Sequence, residues 1–251
     1  VPDCHVITGD CNDVMPTRPP EYARLIFVDS PYNIGVDYGN GKKADQLPRD
    51  KFLSWCRSWM LAGKRLLTID GSMWVLINDE WAGDFQCLLR GIGLHWRETI
   101  HWVETFGVHC ETRFGRDHRP LFRFTRDPRR QVFHPQRVPS ARQTVYNDRR
   151  ANPLGRVPSN VWTISRVCGT FNERVGNFPT QLPLELLRRV VETASDPGDL
   201  VLDPFSGSAT TGVACIELGR RYLGIELNPT YAERSRERLR SAQAGAAQES
   251  A

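Results

Sequence analysis

Leu25-Ile26-Phe27-Val28-Asp29-Ser30-Pro31-Tyr32-Asn33 is the stretch on which the reading of this chain turns. Four apolar, mostly β-favouring residues read as a buried strand, and Pro31 ends it because proline cannot donate a ladder hydrogen bond. Asp29 and Tyr32 then project at the carboxyl edge, where open α/β sheets hold their ligands. A carboxylate acceptor, a turn with free carbonyls and an aromatic ring together suit a planar, amine-bearing group such as a nucleobase. Taken alone, the same residues read first as a strand followed by an ordinary Ser-Pro turn.

Outward from this stretch the pattern repeats. His5-Val6-Ile7 is a short strand ending at Gly9-Asp10. Asn33 to Pro48, with three glycines, reads as a mobile polar loop beside Tyr32 that could close over a substrate. Asp50 is the expected N-cap of a helix to about Leu66. Gly71 opens a strand over Met73–Ile77, Asn78-Asp79 caps a helix to about Leu89, and a third strand lies near Ile100–Val103. Strand followed by helix at this spacing predicts a parallel sheet with helices on both faces. The tryptophans read as core. Thr180 caps a further helix with Pro183 in its first turn, and Asn228-Pro229 caps the last one, which fades into an Ala/Gln-rich tail after Leu239.

Near the carboxyl end comes Asp199-Leu200-Val201-Leu202-Asp203-Pro204-Phe205-Ser206-Gly207-Ser208-Ala209-Thr210-Thr211-Gly212: a strand, a turn of small residues and a helix start. Small residues let a ligand approach the backbone, and free N–H groups suit a polar or anionic group. The next strand, Tyr222–Ile225, delivers Glu226 nineteen residues after Gly207, the spacing of an acid that holds ribose hydroxyls. A nucleoside cofactor is the expectation.

Composition sets the remaining bounds. A chain of 251 residues, 40% hydrophobic and 25% charged, can bury one large core plus a modest insert. Seven scattered cysteines, an odd number without a C-x-x-C pair, argue for reduced structural thiols, and the six histidines lack metal-ligand spacing, so no metal is expected. With neither a signal-peptide pattern nor a run of about 18 apolar residues, a cytoplasmic, non-membrane protein is expected. The chain opens on Val1 rather than Met, which leaves room for a trimmed leader. The net charge of +4 is uneven: Glu111 to Arg174 holds fourteen arginines, no lysine and five acids. That segment, interleaved with Phe114, Phe133, His134 and Tyr146, suits phosphate forks and base stacking on nucleic acid.

Jointly these residues resemble a known family. Asp203-Pro204-Phe205-Ser206-Gly207-Ser208-Ala209-Thr210-Thr211 is similar to the S-adenosyl-L-methionine (AdoMet) motif of the amino-directed DNA methyltransferases, and Asp29-Ser30-Pro31-Tyr32 to their catalytic D/S/N-P-P-Y motif. The order, with the catalytic motif first, an arginine-rich middle and the cofactor motif last, resembles the β class. Gly9-Asp10, Phe178 to Pro183 and Arg220 to Glu226 also fall where that family has recurring motifs. The resemblance implies a Rossmann-like α/β fold: an AdoMet-dependent methyltransferase sheet with helices on both faces from residues 1–105 and 161–243. It also implies an Arg-rich target-recognition insert over 106–160 and a flexible tail over 244–251.

By the same resemblance, Asp29, Ser30, Pro31 and Tyr32 are catalytic. Asp29 and the Ser30 carbonyl would accept the two amine hydrogens, and Tyr32 would stack on a base flipped from duplex DNA. Phe205, Gly207 and Ser208 would line the methionine end of the cofactor, with Asp203, Ser206, Thr210 and Thr211 completing the turn. Glu226 would take the ribose hydroxyls with Asn228 behind it, Asp10 the adenine amine, and Thr180 and Gln181 would close over the methionine part. Arg113, Arg116, Arg137, Arg142, Arg149 and Arg150 would contact DNA. Two departures stand out: Ser30 replaces the usual Pro, and Ala209 a common Gly. Asp at the first motif position favours adenine N6 as the target, with cytosine N4 as the alternative. An RNA or protein amide methyltransferase and a non-catalytic AdoMet or DNA-binding module are more distant readings, and a dinucleotide oxidoreductase would want a G-x-G-x-x-G turn that is absent. Double-stranded DNA is the implied partner; a homodimer and a cognate restriction endonuclease are left open.

Overall fold

In the computed structural model, residues 2–38, 41–105, 110–136, 144–169, 171–176, 178 and 180–249 are described. Eight strands form one sheet: β1 (Cys4–Thr8), β2 (Ala23–Asp29), β3 (Leu67–Leu76), β4 (His95–Val103), β5 (His118–Thr125), β6 (Val161–Thr163), β7 (Leu200–Asp203) and β8 (Arg221–Glu226). Their order is β1-β8-β7-β2-β3-β5-β4-β6. Every neighbouring pair is parallel except those made by β5, which runs against β3 and β4.

Alternation along β2 shows how the sheet is covered. Leu25 and Phe27 join one core cluster, with the helices α4 (Leu184–Ala194), α5 (Thr210–Glu217) and α6 (Pro229–Glu249). Ile26 and Val28 join the other, with α2 (Arg49–Leu66) and α3 (Asp79–Gly91). Successive side chains point to opposite faces, so an unbroken apolar run requires helices on both. Each of the four is at most 1% exposed, worth roughly 2 kcal/mol of burial apiece. Trp59, Trp74 and Trp102 are core residues, as expected.

Several boundaries differ from the sequence reading. Helix α2 starts at Arg49 with Pro48 as N-cap and no side-chain cap, so Asp50 lies in its first turn. Pro183, rather than Thr180, is the N-cap of α4. β3 begins at Leu67, with Gly71 inside it, where a Cβ would come 2.6 Å from the Arg24 carbonyl. The last helix does not fade after Leu239: α6 continues to Glu249, because Ala and Gln are good helix formers and Ala242 and Ala246 pack against the core. The largest difference concerns the arginine-rich segment. Within the segment read as an insert, the strand-like Leu121–Phe124 belongs to β5 (His118–Thr125), which joins the main sheet between β3 and β4, with Leu121, Phe122 and Phe124 at most 1% exposed.

Among the described residues no helix is long and apolar enough to cross a membrane. The cysteines are free thiols. Burial pushes Cys4 up to about 12 and Cys11, Cys56 and Cys215 up as well, which leaves these four inert as nucleophiles.

Candidate active site

From β2 the chain passes through α2 to β3 on one side; from β7 it passes through α5 to β8 on the other. The neighbours β2 and β7, in register at Leu25–Val201 and Ile26–Leu202, therefore diverge, and a crevice opens beyond their carboxyl ends. Asp29 ends β2 and Asp203 ends β7. Glu226 ends β8 opposite Thr8, so Asp10, just past β1, stands at the same edge. Two motifs over 170 residues apart in the chain are thus adjacent strand ends.

At the β2 end, the Tyr32 hydroxyl donates to Asp29 Oδ1 at 2.6 Å. Tyr32 meets a residue absent from the sequence-based site, Arg119 on β5. Its guanidinium lies 5.8 Å from the Tyr32 ring centroid and Nη1 donates to the Tyr32 hydroxyl at 3.5 Å. Nε of Arg119 meets Glu104 Oε1 at 2.6 Å, and Trp102 backs the guanidinium at 5.1 Å. Burial raises the Asp29 carboxyl above its ordinary range, while Arg119 and the Tyr32 hydrogen bond oppose that and Glu104 adds to it. Burial and then Asp29 push the Tyr32 phenol well up, so it stays a donor. The hydroxyl of Ser30 is buried without a partner among the described residues.

The loop after Tyr32 is clamped at its base, contrary to a loop mobile throughout. Asp45 Oδ2 accepts the N–H groups of Ile34, Gly35 and Val36 at 2.9–3.1 Å, and its Oδ1 accepts that of Asn33 at 2.9 Å. Asn33 and Leu47 exchange two further bonds. A carboxylate holding four backbone donors replaces the ladder that this polar segment cannot form. Farther along, the Tyr38 carbonyl accepts from Asn228 Nδ2 at 2.9 Å, which carries the loop from the β2 end to the β8 end.

The turn after β7 is built by its own side chains. Asp203 Oδ1 accepts from Phe205 N at 3.1 Å and Oδ2 from the Thr211 hydroxyl at 2.7 Å. Burial dominates these bonds, and the nearby Asp29 and Glu226 carboxylates add to it, so Asp203 is pushed up to about 7. Ser206 shares a hydrogen bond with the Tyr222 hydroxyl at 2.9 Å, and Ser208 shares one with Thr210 at 3.0 Å. These hydroxyls therefore hold the turn's shape. Gly207 (φ +49°) and Ala209 (φ +55°) both lie in the left-handed region, which is the physical reason glycine suits position 209. Phe205 packs edge-on against Trp55 and Trp59 of α2, at 5.8 and 5.6 Å. Glu226 receives Gly207 N at 2.9 Å and Asn228 N at 2.8 Å; burial raises its carboxyl and those bonds lower it. Asp10 caps the short helix α1 (Cys11–Val14) through Asn12 N at 2.8 Å.

Elsewhere the expected residues divide. Gln181 is buried and bonds Val175 N and the Glu173 carbonyl, so its amide holds the 173–175 loop, while Thr180 is exposed. Arg113, Arg116 and Arg149 are exposed, in the same segments as Phe114 and Tyr146; Arg150 is exposed but bonded to Asp148. Arg137 and Arg142 lie outside the described residues. Part of the positive charge faces inward: Arg119 pairs with Glu104, Arg123 with Glu98, and Arg126 with Glu21. Composition alone assigned all of these to a polyanion. The signal that separates them is the Leu121–Phe124 strand pattern, which marks the flanking arginines as neighbours of the sheet.

Comparison with known proteins bears on this geometry. A family model described as DNA methylase, of the N6/N4 type, matches residues 23–237. The DNA adenine methyltransferase YhdJ of Escherichia coli (strain K12) is 32% identical over 245 residues, covering 93% of this chain and 82% of that protein. The type II methyltransferase M.HpaI of Haemophilus parainfluenzae is 33% identical over 223 residues, covering 86% and 68%. Among solved structures, a Thermus thermophilus protein complexed with S-adenosyl-L-methionine superposes with a TM-score of 0.67 at 23% identity, covering 98% of this chain and 97% of that one. At that identity the likeness speaks for the fold.

Proposed function

This chain belongs to the N6/N4 DNA methylase family, and on that premise we propose that it transfers a methyl group from AdoMet to the exocyclic N6 of adenine in double-stranded DNA. The observation that carries the reading is the pairing of Asp29 and the Asp203 turn on adjacent strand ends at the switch point. AdoMet, when bound, supplies an electrophilic methyl on a sulfonium. The residues present fit that cation: burial raises the carboxyls of Asp29, Asp203 and Glu226, the Asp29 and Glu226 charges raise Asp203 further, and a positive charge beside them would offset both effects. Glu226 would receive the ribose hydroxyls and Asp10 the adenine edge, and Gly207 would leave room for the methionine part. Phe205 supports the turn through α2.

An exocyclic amine is a poor nucleophile because its lone pair is delocalised into the ring. Asp29 and the Ser30 carbonyl accept its two hydrogens and direct the lone pair at the methyl carbon. The methyl would pass to the amine nitrogen with the carbon–sulfur electron pair left on the cofactor, and the amine would give up one proton. Burial raises the proton affinity of Asp29, which suits it to take that proton. Tyr32, whose hydroxyl donates to Asp29 Oδ1, would stack its ring on the base.

Exposed Arg113, Arg116, Arg149 and Phe114 are the DNA contacts of the segment outside β5, and the protein works in the cytoplasm, where duplex DNA lies. The type II description of one relative supports a cognate restriction endonuclease as a partner, and a homodimer is tested by sedimentation. Asp at the first motif position and the adenine-directed relative both favour N6. The test is plasmid DNA methylated with labelled AdoMet, digested to nucleosides and identified by mass spectrometry. N6-methyladenine is expected; N4-methylcytosine overturns the target base, and an unlabelled digest overturns the activity.

A further inference from the structure

Among the described residues, Arg119 is the cation that contacts the acceptor motif. It stands on β5, the antiparallel strand, with Trp102 as its register partner on β4, and its guanidinium lies between the rings of Tyr32 and Trp102. Glu104, 6% exposed just beyond β4, fixes Nε at 2.6 Å. The result is a chain of four side chains, Glu104–Arg119–Tyr32–Asp29, from three separate elements. We propose, resting on the methyl-transfer reading above, that Arg119 anchored by Glu104 is a positioning residue. It seats the Tyr32 hydroxyl and keeps the Asp29 carboxylate available as an acceptor.

Physical necessity supports the assignment. Asp29 faces Tyr32 and Tyr38 from its own loop, Asp203 from β7, and Arg119 and Glu104 from β5 and the end of β4. Of these, only Arg119 is positive. Burial and the neighbouring Glu104 carboxylate favour the protonated acid, and a protonated carboxyl offers a hydrogen where the target amine must offer its own. Arg119 opposes that protonation. Asp29 and Glu104 in turn keep Arg119 charged despite the burial that would lower it, while the neutral Tyr32 hydroxyl accepts a bond from its Nη1. Glu104 has the reverse influence on Asp29, since it adds negative charge while holding the guanidinium in place. The two partners in one ion pair therefore have opposite effects on the acid limb of the reaction.

The experiment measures kcat against pH for wild type, Arg119→Gln, Arg119→Lys and Glu104→Gln on plasmid DNA with saturating labelled AdoMet. Thermal unfolding and calorimetric AdoMet binding accompany each variant. Arg119→Gln is expected to move the acid limb upward by about one pH unit, with AdoMet affinity within about twofold of wild type. Arg119→Lys returns the limb to its wild-type position while kcat stays reduced, because an ammonium cannot bridge Glu104 and Tyr32 as a planar fork does. Glu104→Gln moves the limb downward. An unmoved limb in Arg119→Gln, or a limb that moves the same way in Arg119→Gln and Glu104→Gln, overturns the proposal. Should Arg119→Gln not fold, the downward shift in Glu104→Gln and the unmoved limb of Arg119→Lys decide the matter. Wild-type enzyme that leaves adenine unlabelled overturns the methyl-transfer reading instead, so the two failures are distinct.

Discussion

Replacing Asp203 with Asn removes a titration that sets the pH dependence of the ligand-free protein's stability. The residue is 3% exposed and accepts from Phe205 N and the Thr211 hydroxyl, and its carboxyl is pushed up to about 7 from an ordinary 3.8. Between those values the folded protein holds a proton that the unfolded chain has released. Stability from this group is therefore fully present below the unfolded value and is lost as pH rises through the folded one. A gap of about three units corresponds to about 4 kcal/mol, of which about 2.5 kcal/mol falls between pH 5 and pH 8. Urea unfolding of wild type and Asp203→Asn at those two pH values isolates the group, because other titrations cancel in the difference. The advantage of wild type over the variant should shrink by about 2.5 kcal/mol on going to the higher pH. A difference constant to within about 0.5 kcal/mol would refute the burial argument for Asp203.

Three further outcomes follow from the same contacts. Asp29→Ala should lower kcat at least about a hundredfold while AdoMet still binds in the calorimeter; wild-type turnover would remove Asp29 from the mechanism. Asp45→Asn, which weakens a four-donor carboxylate clamp, should cost about 2 kcal/mol of local stability, read as roughly thirtyfold faster amide exchange at Ile34–Val36. Unchanged exchange there would mean that the loop is held by something else. Gly71→Ala, whose Cβ would meet the Arg24 carbonyl at 2.6 Å, should destabilise by about 1–3 kcal/mol in urea unfolding without changing kcat per folded molecule.

Legibility in the chain tracked the range of the forces involved. The strand over residues 25–28, the turn over 203–211 and the acid at 226 were all readable, because strand period, turn chemistry and spacing are local. Helix caps were off by two to three residues: Pro48 and Pro183 replaced Asp50 and Thr180, since a proline's fixed backbone starts a helix without any side-chain bond. The loop over 33–47 looked mobile from its glycines. A single carboxylate twelve residues from its first donor pins it, and composition carries no sign of that pairing.

By itself the sequence determined the two-faced sheet, the two motifs and their order, since burial on both faces and small-residue turns leave a periodic trace. Tertiary structure alone decided that β2 and β7 are neighbours, that β5 slots between β3 and β4 in reverse, and hence that Arg119 and Glu104 stand behind Asp29 and Tyr32. Strand order depends on pairings between segments far apart in the chain, which local patterning does not encode. That is why an arginine counted among those for a polyanion turns out to be seated beside Tyr32 and the Asp29 carboxylate.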